Sequence, residues 1–262
     1  MNIFVCVKQV PDDYVEVHLN PTTGTPDVEG IDQVNNAFDT YAVEMAVRAV
    51  EAHGGSVTVA AIGPEKCQNG LKNLIAVGAN KAVLLSDPAL LDLDEAATAS
   101  ALASLIAKCE ADQGESFDLI FCGKESTDEI SAQVGAMLSE TLKAPFVSSV
   151  VEVEPVEGGV KAKQETESGY AVYEMALPAV LTVAKPAYDP RYPTIKSKMA
   201  ARKATIPMLT AADAGAVKQD NRVTCLGYSE PAKRQAGVRI QEKEAADAVA
   251  KAVAMMAEAK AI

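Results

Sequence analysis

The chain of 262 residues is 48% hydrophobic, which suffices for a sizeable core in one large domain or two modest ones. Its formal net charge of −12, from 24 basic and 36 acidic residues, argues against a nucleic-acid partner, because phosphate contacts need a basic face. No run of about 18 uncharged apolar residues occurs, so we predict no membrane span. The N-terminal MNIFVCVKQV lacks a basic leader, and we therefore expect a cytoplasmic protein.

Residues 1–143 alternate between short apolar runs and amphipathic segments. The predicted strands are Ile3–Val7, Ser56–Ile62, Ala82–Leu85 and Asp118–Cys122. The predicted helices are one that begins at Asn36 or Asp39 and ends at Gly54, then 65–76, 94–112 and 130–143. Residues 12–34 are polar and rich in turn formers, which is typical of a loop or hairpin. This alternation predicts a doubly wound, mainly parallel sheet.

The pattern changes after Pro145. Residues 147–153, 159–166 and 171–175 are predicted to be antiparallel strands, and 178–183 a further strand. A proline-rich basic loop then leads to a short helix, residues 204–240 have weak periodicity, and 242–261 form an amphipathic terminal helix. We predict an α/β domain over residues 1–203 and a C-terminal arm over 204–262. A long irregular segment needs a surface to order it, either on a partner subunit, which we favour, or on its own domain.

The chain carries no recognisable catalytic or metal-binding constellation. There is no GxSxG, HExxH or SGGxDS motif, no CxxC pair, and only His18 and His53 as histidines, both interpreted as structural. The five cysteines are expected to be unpaired thiols in a reducing compartment. They are Cys6, Cys67, Cys109, Cys122 and Cys225. Such a chain is a better candidate for a carrier or a regulator than for a hydrolase.

The stretch CGKESTD at 122–128 follows a predicted strand, where parallel sheets bind ligands. It is not a Walker A loop, because that motif needs a glycine where Asp118 stands. Gly123 would let the backbone approach a ligand, and Ser126, Thr127 and Asp128 would begin a helix whose free amides favour phosphate. A plain capped loop is the alternative. The ends of two other strands, residues 7–11 and 62–64, lie at the same predicted edge.

Several motifs resemble those of the beta subunit of electron transfer flavoproteins, from the first strand to the terminal helix. Ala37 stands where the family usually has proline, and Gln164 where it prefers a basic residue. The matching motifs are VCVKQVPD at 5–12, NAFDTYAVE at 36–44, Gly63-Pro64, GKESTDEISAQVG at 123–135, LPAVLT at 177–182, DPRYPTIKSKMAA at 189–201 and Arg234–Val238.

This resemblance implies an adenine-nucleotide-hydrolase-like Rossmann variant and a heterodimer with an alpha subunit. It also implies one redox FAD shared with that subunit, and in the beta subunit either a structural AMP or a second FAD. A second FAD belongs to the electron-bifurcating form, which oxidises NADH. KQVPD and Asp39 look more like the bifurcating and FixA-type members, so we favour FAD. The implied pocket comprises Cys6, Asn36, Ala37, Phe38, Asp39, Ile62, Gly63, Gly123, Lys124, Glu125, Ser126, Thr127, Asp128, Ser131, Ala132, Gln133 and Val134.

The loop at 189–199 is similar to the family's recognition loop for acyl-CoA dehydrogenases. By that resemblance Ile195 is the hydrophobic anchor, and Arg191 and Tyr192 are partner contacts. The alternative is that Ile195 is an ordinary buried loop residue. A rival hypothesis from another class is a stand-alone adenine-nucleotide-binding regulator of the universal-stress type, which needs neither this loop nor a long ordered tail.

Overall fold

The computed structural model describes residues 1–233 and 236–262. Arg234 and Gln235, from the motif at 234–238, lie outside the described residues. The contacts divide the chain into two units. The first comprises Met1–Val17 and Asp27–Leu226, and the second comprises His18–Pro26 and Gly227–Ile262. From the sequence we predict that an arm begins at residue 204 and packs on a partner subunit. That boundary and that packing stay predictions.

The first unit contains a nine-stranded sheet and a small two-stranded antiparallel sheet, the latter made of β2 and β3. The strands are β1 Asn2–Cys6, β2 Gln9–Pro11, β3 Gln33–Asn35, β4 Ser56–Ile62, β5 Lys81–Leu85, β6 Leu119–Gly123, β7 Phe146–Val156, β8 Gly159–Thr166, β9 Gly169–Ala176, β10 Ala179–Val183 and β11 Met208–Leu209. The large sheet has the order β11-β5-β4-β1-β6-β10-β7-β8-β9. Its pairs from β11 to β7 are parallel.

Helices cover both faces of this sheet, as a doubly wound fold requires. They are α1 Ala37–His53, α2 Gln68–Ala76, α3 Glu95–Gln113, α4 Val134–Leu142, α5 Ile195–Arg202 and, in the second unit, α6 Ala245–Glu258. Side chains alternate across each strand. Ile3 and Val5 therefore pack with α1 and α2, whereas Phe4 and Cys6 pack with α3 and α4. The predicted fold class is confirmed.

Two local predictions are wrong. Strand β7 is not purely antiparallel, since it pairs parallel with β10 and antiparallel with β8, and it thereby joins the hairpin to the main sheet. Helix α4 begins at Val134 rather than Ile130. Ile130 and Ala132 have φ of 56° and 55°, a left-handed conformation that interrupts a helix at both residues.

The second unit is sparsely packed. Leu19 and Pro26 form an isolated antiparallel bridge, and the Leu19 amide donates to Glu230 Oε1 at 3.1 Å. Within 227–233 and 236–262 no residue is buried, α6 included. None of the helices in the described parts of the chain is long and apolar enough to cross a membrane.

Candidate functional site

A cavity of about 280 Å³ lies at the carboxyl ends of β1, β4 and β6, close to the lower end of the range of roughly 300–1,000 Å³ seen for small-molecule sites. The parallel strands end at this cavity and helices α3 and α4 begin at it. Backbone amides and side chains from the strand ends therefore converge on the cavity. The residues that line it are Cys6, Val7, Lys8, Asn36, Asp39, Ile62, Leu90, Leu91, Asp92, Leu93, Glu95, Thr98, Leu102, Cys122, Gly123, Lys124, Glu125, Ser126, Glu129, Ser131, Ala132, Gln133, Val134 and Gly135.

Asn36 fixes one wall of the cavity. Its side chain, in a residue only 1% exposed, donates from Nδ2 to the Glu125 carbonyl at 2.8 Å and accepts from the Thr127 amide at 3.2 Å. Its own amide donates to the Lys8 carbonyl at 2.9 Å. One buried side chain therefore joins the start of α1 to the loop that follows β6, and satisfies backbone groups that would otherwise be buried without partners.

Asp39, in the first turn of α1, holds the ends of two strands together. Its carboxylate accepts from the Lys8 amide at 2.7 Å and from the Gly123 amide at 2.9 Å. Burial raises the pKa of Asp39 to about 7, although the hydrogen bonds that it accepts oppose this rise. The residue is 5% exposed, and its charge at neutral pH therefore depends on its surroundings.

Gly123 is required by a close approach within the protein. A Cβ added there would lie 2.3 Å from Asp39 Oδ1 and 2.8 Å from Phe38 Cβ. The sequence-based expectation was that this glycine lets the backbone approach a ligand. The structure shows that it also lets α1 approach β6, while it lines the cavity as well, so its predicted role towards a ligand stays a prediction.

Two thiols face the same cavity from adjacent strands. The parallel register of β1 and β6 places Cys6 beside Cys122, and both are buried. The hydrogen bond with Cys122, and then burial, raise the pKa of the Cys6 thiol well above its usual range. A protonated thiol is a poor nucleophile, and Cys6 therefore contributes shape and polarisable surface to the cavity.

Charged side chains at the rim of the cavity form ion pairs with one another. Lys8 Nζ lies 2.9 Å from Asp128 Oδ1 and 3.0 Å from Glu129 Oε2. These contacts hold Asp128 in the loop after β6, and the Ile130 amide closes that loop on the Ser126 carbonyl at 2.9 Å. The predicted role of Ser126–Asp128 as a helix start is therefore wrong, because ion pairs and a turn fix this segment before α4 begins.

Twelve of the predicted pocket residues line this cavity, and five do not. Gly63 lines an adjoining cavity of about 250 Å³, which shares Lys8, Ile62, Leu90 and Leu91 with the first. Ala37, Phe38, Thr127 and Asp128 line neither cavity. Thr127 still contributes its amide to Asn36, and Asp128 pairs with Lys8.

The wall formed by residues 90–102 was missed by sequence reasoning. Asp94 Oδ1 caps α3 by accepting from the Ala97 amide at 2.9 Å, and its Oδ2 accepts from the amides of Arg222 and Val223. The Asp94 amide donates to Asn221 Oδ1 at 3.0 Å. A carboxylate before an Ala-rich helix is an N-cap signal, but nothing in the sequence showed that it also holds a distant segment.

A second candidate site is the loop before α5. Tyr192 is 93% exposed and Ile195 is 82% exposed, which excludes the alternative that Ile195 is a buried loop residue. Arg191 differs, because its guanidinium lies against the carboxylates of Glu44 and Glu51 on α1. The sequence-predicted partner residues therefore divide into two exposed side chains and one engaged side chain.

Comparison with known proteins identifies the family of this chain. Residues 27–214 match the family described as "Electron transfer flavoprotein domain". The chain is 39% identical to an electron transfer flavoprotein subunit beta of Megasphaera elsdenii, over 84% of this chain and 81% of that protein. It is 39% identical to the subunit beta of Thermoanaerobacterium thermosaccharolyticum, over 81% and 80%. It is 35% identical to the Caffeyl-CoA reductase-Etf complex subunit CarD of Acetobacterium woodii, over 82% and 80%. The chain belongs to the electron transfer flavoprotein beta-subunit family.

Proposed function

We propose that this chain forms a heterodimer with an alpha subunit and holds an adenine nucleotide in the cavity at the ends of β1, β4 and β6. The observation that carries this proposal is the convergence at that cavity of first-turn amides of α4, the Lys8 ammonium and the polar wall held by Asn36. Amides at a helix N-terminus suit a phosphate, and Lys8 adds a cation beside them even though Asp128 and Glu129 pair with it. The leucines of 90–93 suit a flat apolar ring. The residues present therefore fit an adenylate.

The nucleotide that we favour is FAD rather than AMP. The adjoining cavity of about 250 Å³ continues past Lys8 and is lined by Gln9, Gln33 and Lys66. It offers space and hydrogen-bond donors beyond the adenylate, which AMP would not use. With a second flavin in the heterodimer, bifurcation of electrons from NADH is the corresponding activity. A structural AMP in a non-bifurcating heterodimer is the other candidate.

Extraction of the purified heterodimer tests this proposal. The nucleotides released by acid are separated and quantified against the protein. We expect two flavins per heterodimer and no stoichiometric AMP. One flavin with one AMP would contradict the FAD assignment and leave the adenylate site standing. One flavin with no second nucleotide would contradict the adenylate site itself.

The C-terminal arm is the surface that we assign to the alpha subunit. In α6, Val249, Val253 and Met256 are exposed at helical spacing on one face. An amphipathic helix with no buried residue gains stability by covering that face. Removal of residues 245–262 is expected to abolish co-purification of the two subunits, as measured by size-exclusion chromatography. Retention of the heterodimer would contradict the assignment.

The loop before α5 is the surface that we assign to a flavin dehydrogenase of the acyl-CoA dehydrogenase type. Ile195 projects from the first turn of α5, and Thr194 Oγ1 caps that turn by accepting from the Ser197 amide at 3.1 Å. A small exposed aliphatic side chain on an ordered turn suits a pocket on a partner.

A bound flavin supplies the redox chemistry, and this chain contributes position and partner recognition. The family match decides against the stand-alone regulator.

A further inference from the structure

Arg191 makes an unusually complete set of contacts within the chain. Nε lies 2.8 Å from Glu44 Oε2, and Nη1 and Nη2 lie 2.6 Å and 2.9 Å from the two oxygens of Glu51. Nη2 also reaches Glu44 Oε1 at 3.3 Å, and the Arg191 amide donates to Glu44 Oε2 at 3.1 Å. Every guanidinium nitrogen is therefore engaged by a carboxylate of α1.

The carboxylate at the centre of this cluster is fixed in turn. Glu44 is buried, and its Oε1 accepts from Arg48 Nε at 2.6 Å. Arg48 stacks on the ring of Tyr188, with its guanidinium carbon 3.9 Å from the ring centroid. Burial opposes ionisation of Glu44, but the hydrogen bonds from the two arginines hold its pKa below the usual range. The segment before α5 is thus attached to α1 at both Tyr188 and Arg191.

The residues that follow Arg191 have the opposite environment. Tyr192 and Ile195 are almost fully exposed, and Met199 is exposed one turn further along α5. Apolar side chains in solvent gain nothing from the core of their own chain, so packing does not fix their direction. On the N-terminal side of Ile195 the polar contacts of Arg191, four residues earlier, attach the chain to α1, and on its C-terminal side α5 packs on α2.

We propose that Arg191 is a positioning residue that holds Ile195 and Tyr192 ready for the partner, and that it does not itself contact the partner. This inference rests on the proposed dehydrogenase-binding role of the loop. An ordered loop loses less conformational freedom on binding, which improves affinity without a new contact. Glu44 and Glu51 on α1 therefore take part in partner recognition from behind the docking surface.

The two possible roles of Arg191 predict opposite effects of Glu51→Gln. If Arg191 contacted the partner directly, neutralising Glu51 would release Nη1 from its carboxylate partner and leave partner binding unchanged or stronger. If Arg191 positions the loop, the same substitution loosens it and weakens binding. Glu51 suits this test because it is exposed on α1 and lines neither cavity.

The experiment measures electron transfer between the flavin-loaded heterodimer and a purified acyl-CoA dehydrogenase reduced by its acyl-CoA substrate. Glu51→Gln is expected to raise KM for the dehydrogenase about two- to fivefold with kcat unchanged, as befits one partly exposed ion pair. Arg191→Lys keeps the charge but cannot bridge both carboxylates, and should raise KM at least as much. An unchanged or lowered KM for Glu51→Gln would overturn the proposal.

Asp112→Asn is the matched control. It removes one surface carboxylate that pairs with Lys108 on α3, on the opposite face of the sheet from α1, and should leave KM unchanged. Ile195→Ala separates the positioning role of Arg191 from the docking role of the loop. A raised KM for Ile195→Ala with an unchanged KM for Glu51→Gln would refute the positioning role alone. An unchanged KM for Ile195→Ala would refute the docking role of the loop.

A partner-free measurement tests the attachment directly. Lys196 and Lys198 lie in α5 just beyond the attached segment, and trypsin cleaves after lysines in chain that opens. Cleavage at these sites in the intact heterodimer should be faster for Glu51→Gln than for the native protein or Asp112→Asn. Equal cleavage rates in all three would contradict the positioning role, whatever the dehydrogenase assay shows.

Discussion

Polar side chains hold both the cavity at the strand ends and the loop before α5 in place, but the two regions differ in burial and in the groups that these side chains bind. At the cavity, Asn36 and Asp39 are buried, and their oxygens bind backbone amides of other elements. At the loop, Arg191 binds side chains of one helix, and the residues that follow it are exposed. The residues that hold the cavity are therefore part of the buried core, whereas the loop lies on the surface of the first unit and is held there by Arg191.

This difference sets how each region responds to substitution. A buried polar group that loses its partner retains the full cost of its desolvation, so changes at the cavity should reduce the stability of the whole domain. Exposed apolar side chains contribute little to folding, and changes to the exposed Tyr192 and Ile195 should appear only when a partner is present. The four predictions below test that contrast, from the largest expected effect to the smallest.

Gly123→Ala should have the largest effect. The added Cβ would meet Asp39 Oδ1 at 2.3 Å, Phe38 Cβ at 2.8 Å and the Asp39 backbone nitrogen at 3.0 Å. The carboxylate is held by hydrogen bonds, and the other two atoms belong to the start of α1 and cannot move by a side-chain rotation. We expect a loss of about 3 kcal/mol or more in the free energy of unfolding, measured with urea. Gly237→Ala, where nothing lies within 4 Å, is the control and should be neutral. Equal stability of the two variants would contradict the close packing of α1 on β6.

Asp39→Asn should change how stability depends on pH. Because the folded-state pKa is raised from 3.8 to about 7, the folded protein binds a proton that the unfolded chain has lost, and stability falls as pH rises through this window. The native protein should lose roughly 2–3 kcal/mol more than the variant between about pH 5 and pH 8. Urea unfolding at both pH values measures this difference. Parallel losses in the two proteins would rule out Asp39 as the titrating group.

Asn36→Ala should release the loop that follows β6. The change leaves the Glu125 carbonyl and the Thr127 amide without their buried partner, at a cost of about 2 kcal/mol. We also expect the purified heterodimer to retain less nucleotide, quantified after acid extraction. Thr141→Ala removes only an exposed side-chain bond to the Met137 carbonyl and is the control. Full nucleotide content in Asn36→Ala would show that this wall is not needed for binding.

Ile195→Ala should have the smallest effect and only on recognition. Truncation of an exposed anchor is expected to slow electron transfer from the dehydrogenase about tenfold at subsaturating concentrations, or about 1.4 kcal/mol, without lowering flavin content or stability. Stopped-flow flavin reduction measures the rate, and absorbance gives the flavin content. A loss of stability comparable to that of Asn36→Ala would contradict the expectation that changes at the exposed loop leave the stability of the domain unaffected.

Much of the fold was predictable because buried parallel strands are short apolar runs and helices such as α1 and α3 end at glycines. Ser56–Ile62 has the predicted bounds, and the predicted doubly wound sheet is confirmed. The start of α4 was not predictable, because Ser126–Asp128 has the composition of a helix cap and Lys8, which holds Asp128, is remote in sequence. The wall at residues 90–93 escaped detection for a related reason, since leucines after a short strand carry no distinguishing signal.

The engagement of Asp94 with residues 221–223 has a consequence for biosynthesis. Residues that follow β5 line the cavity. Asp94, which stands between the lining residues Leu93 and Glu95, caps α3 with its Oδ1, whereas its Oδ2 accepts from the amides of Arg222 and Val223, close to the end of the first unit. A chain emerging from the ribosome can pair β1, β4 and β6 long before residue 223 is made. The wall of the cavity around Asp94 is therefore completed late in synthesis, and under the proposed function the loading of the nucleotide follows this step.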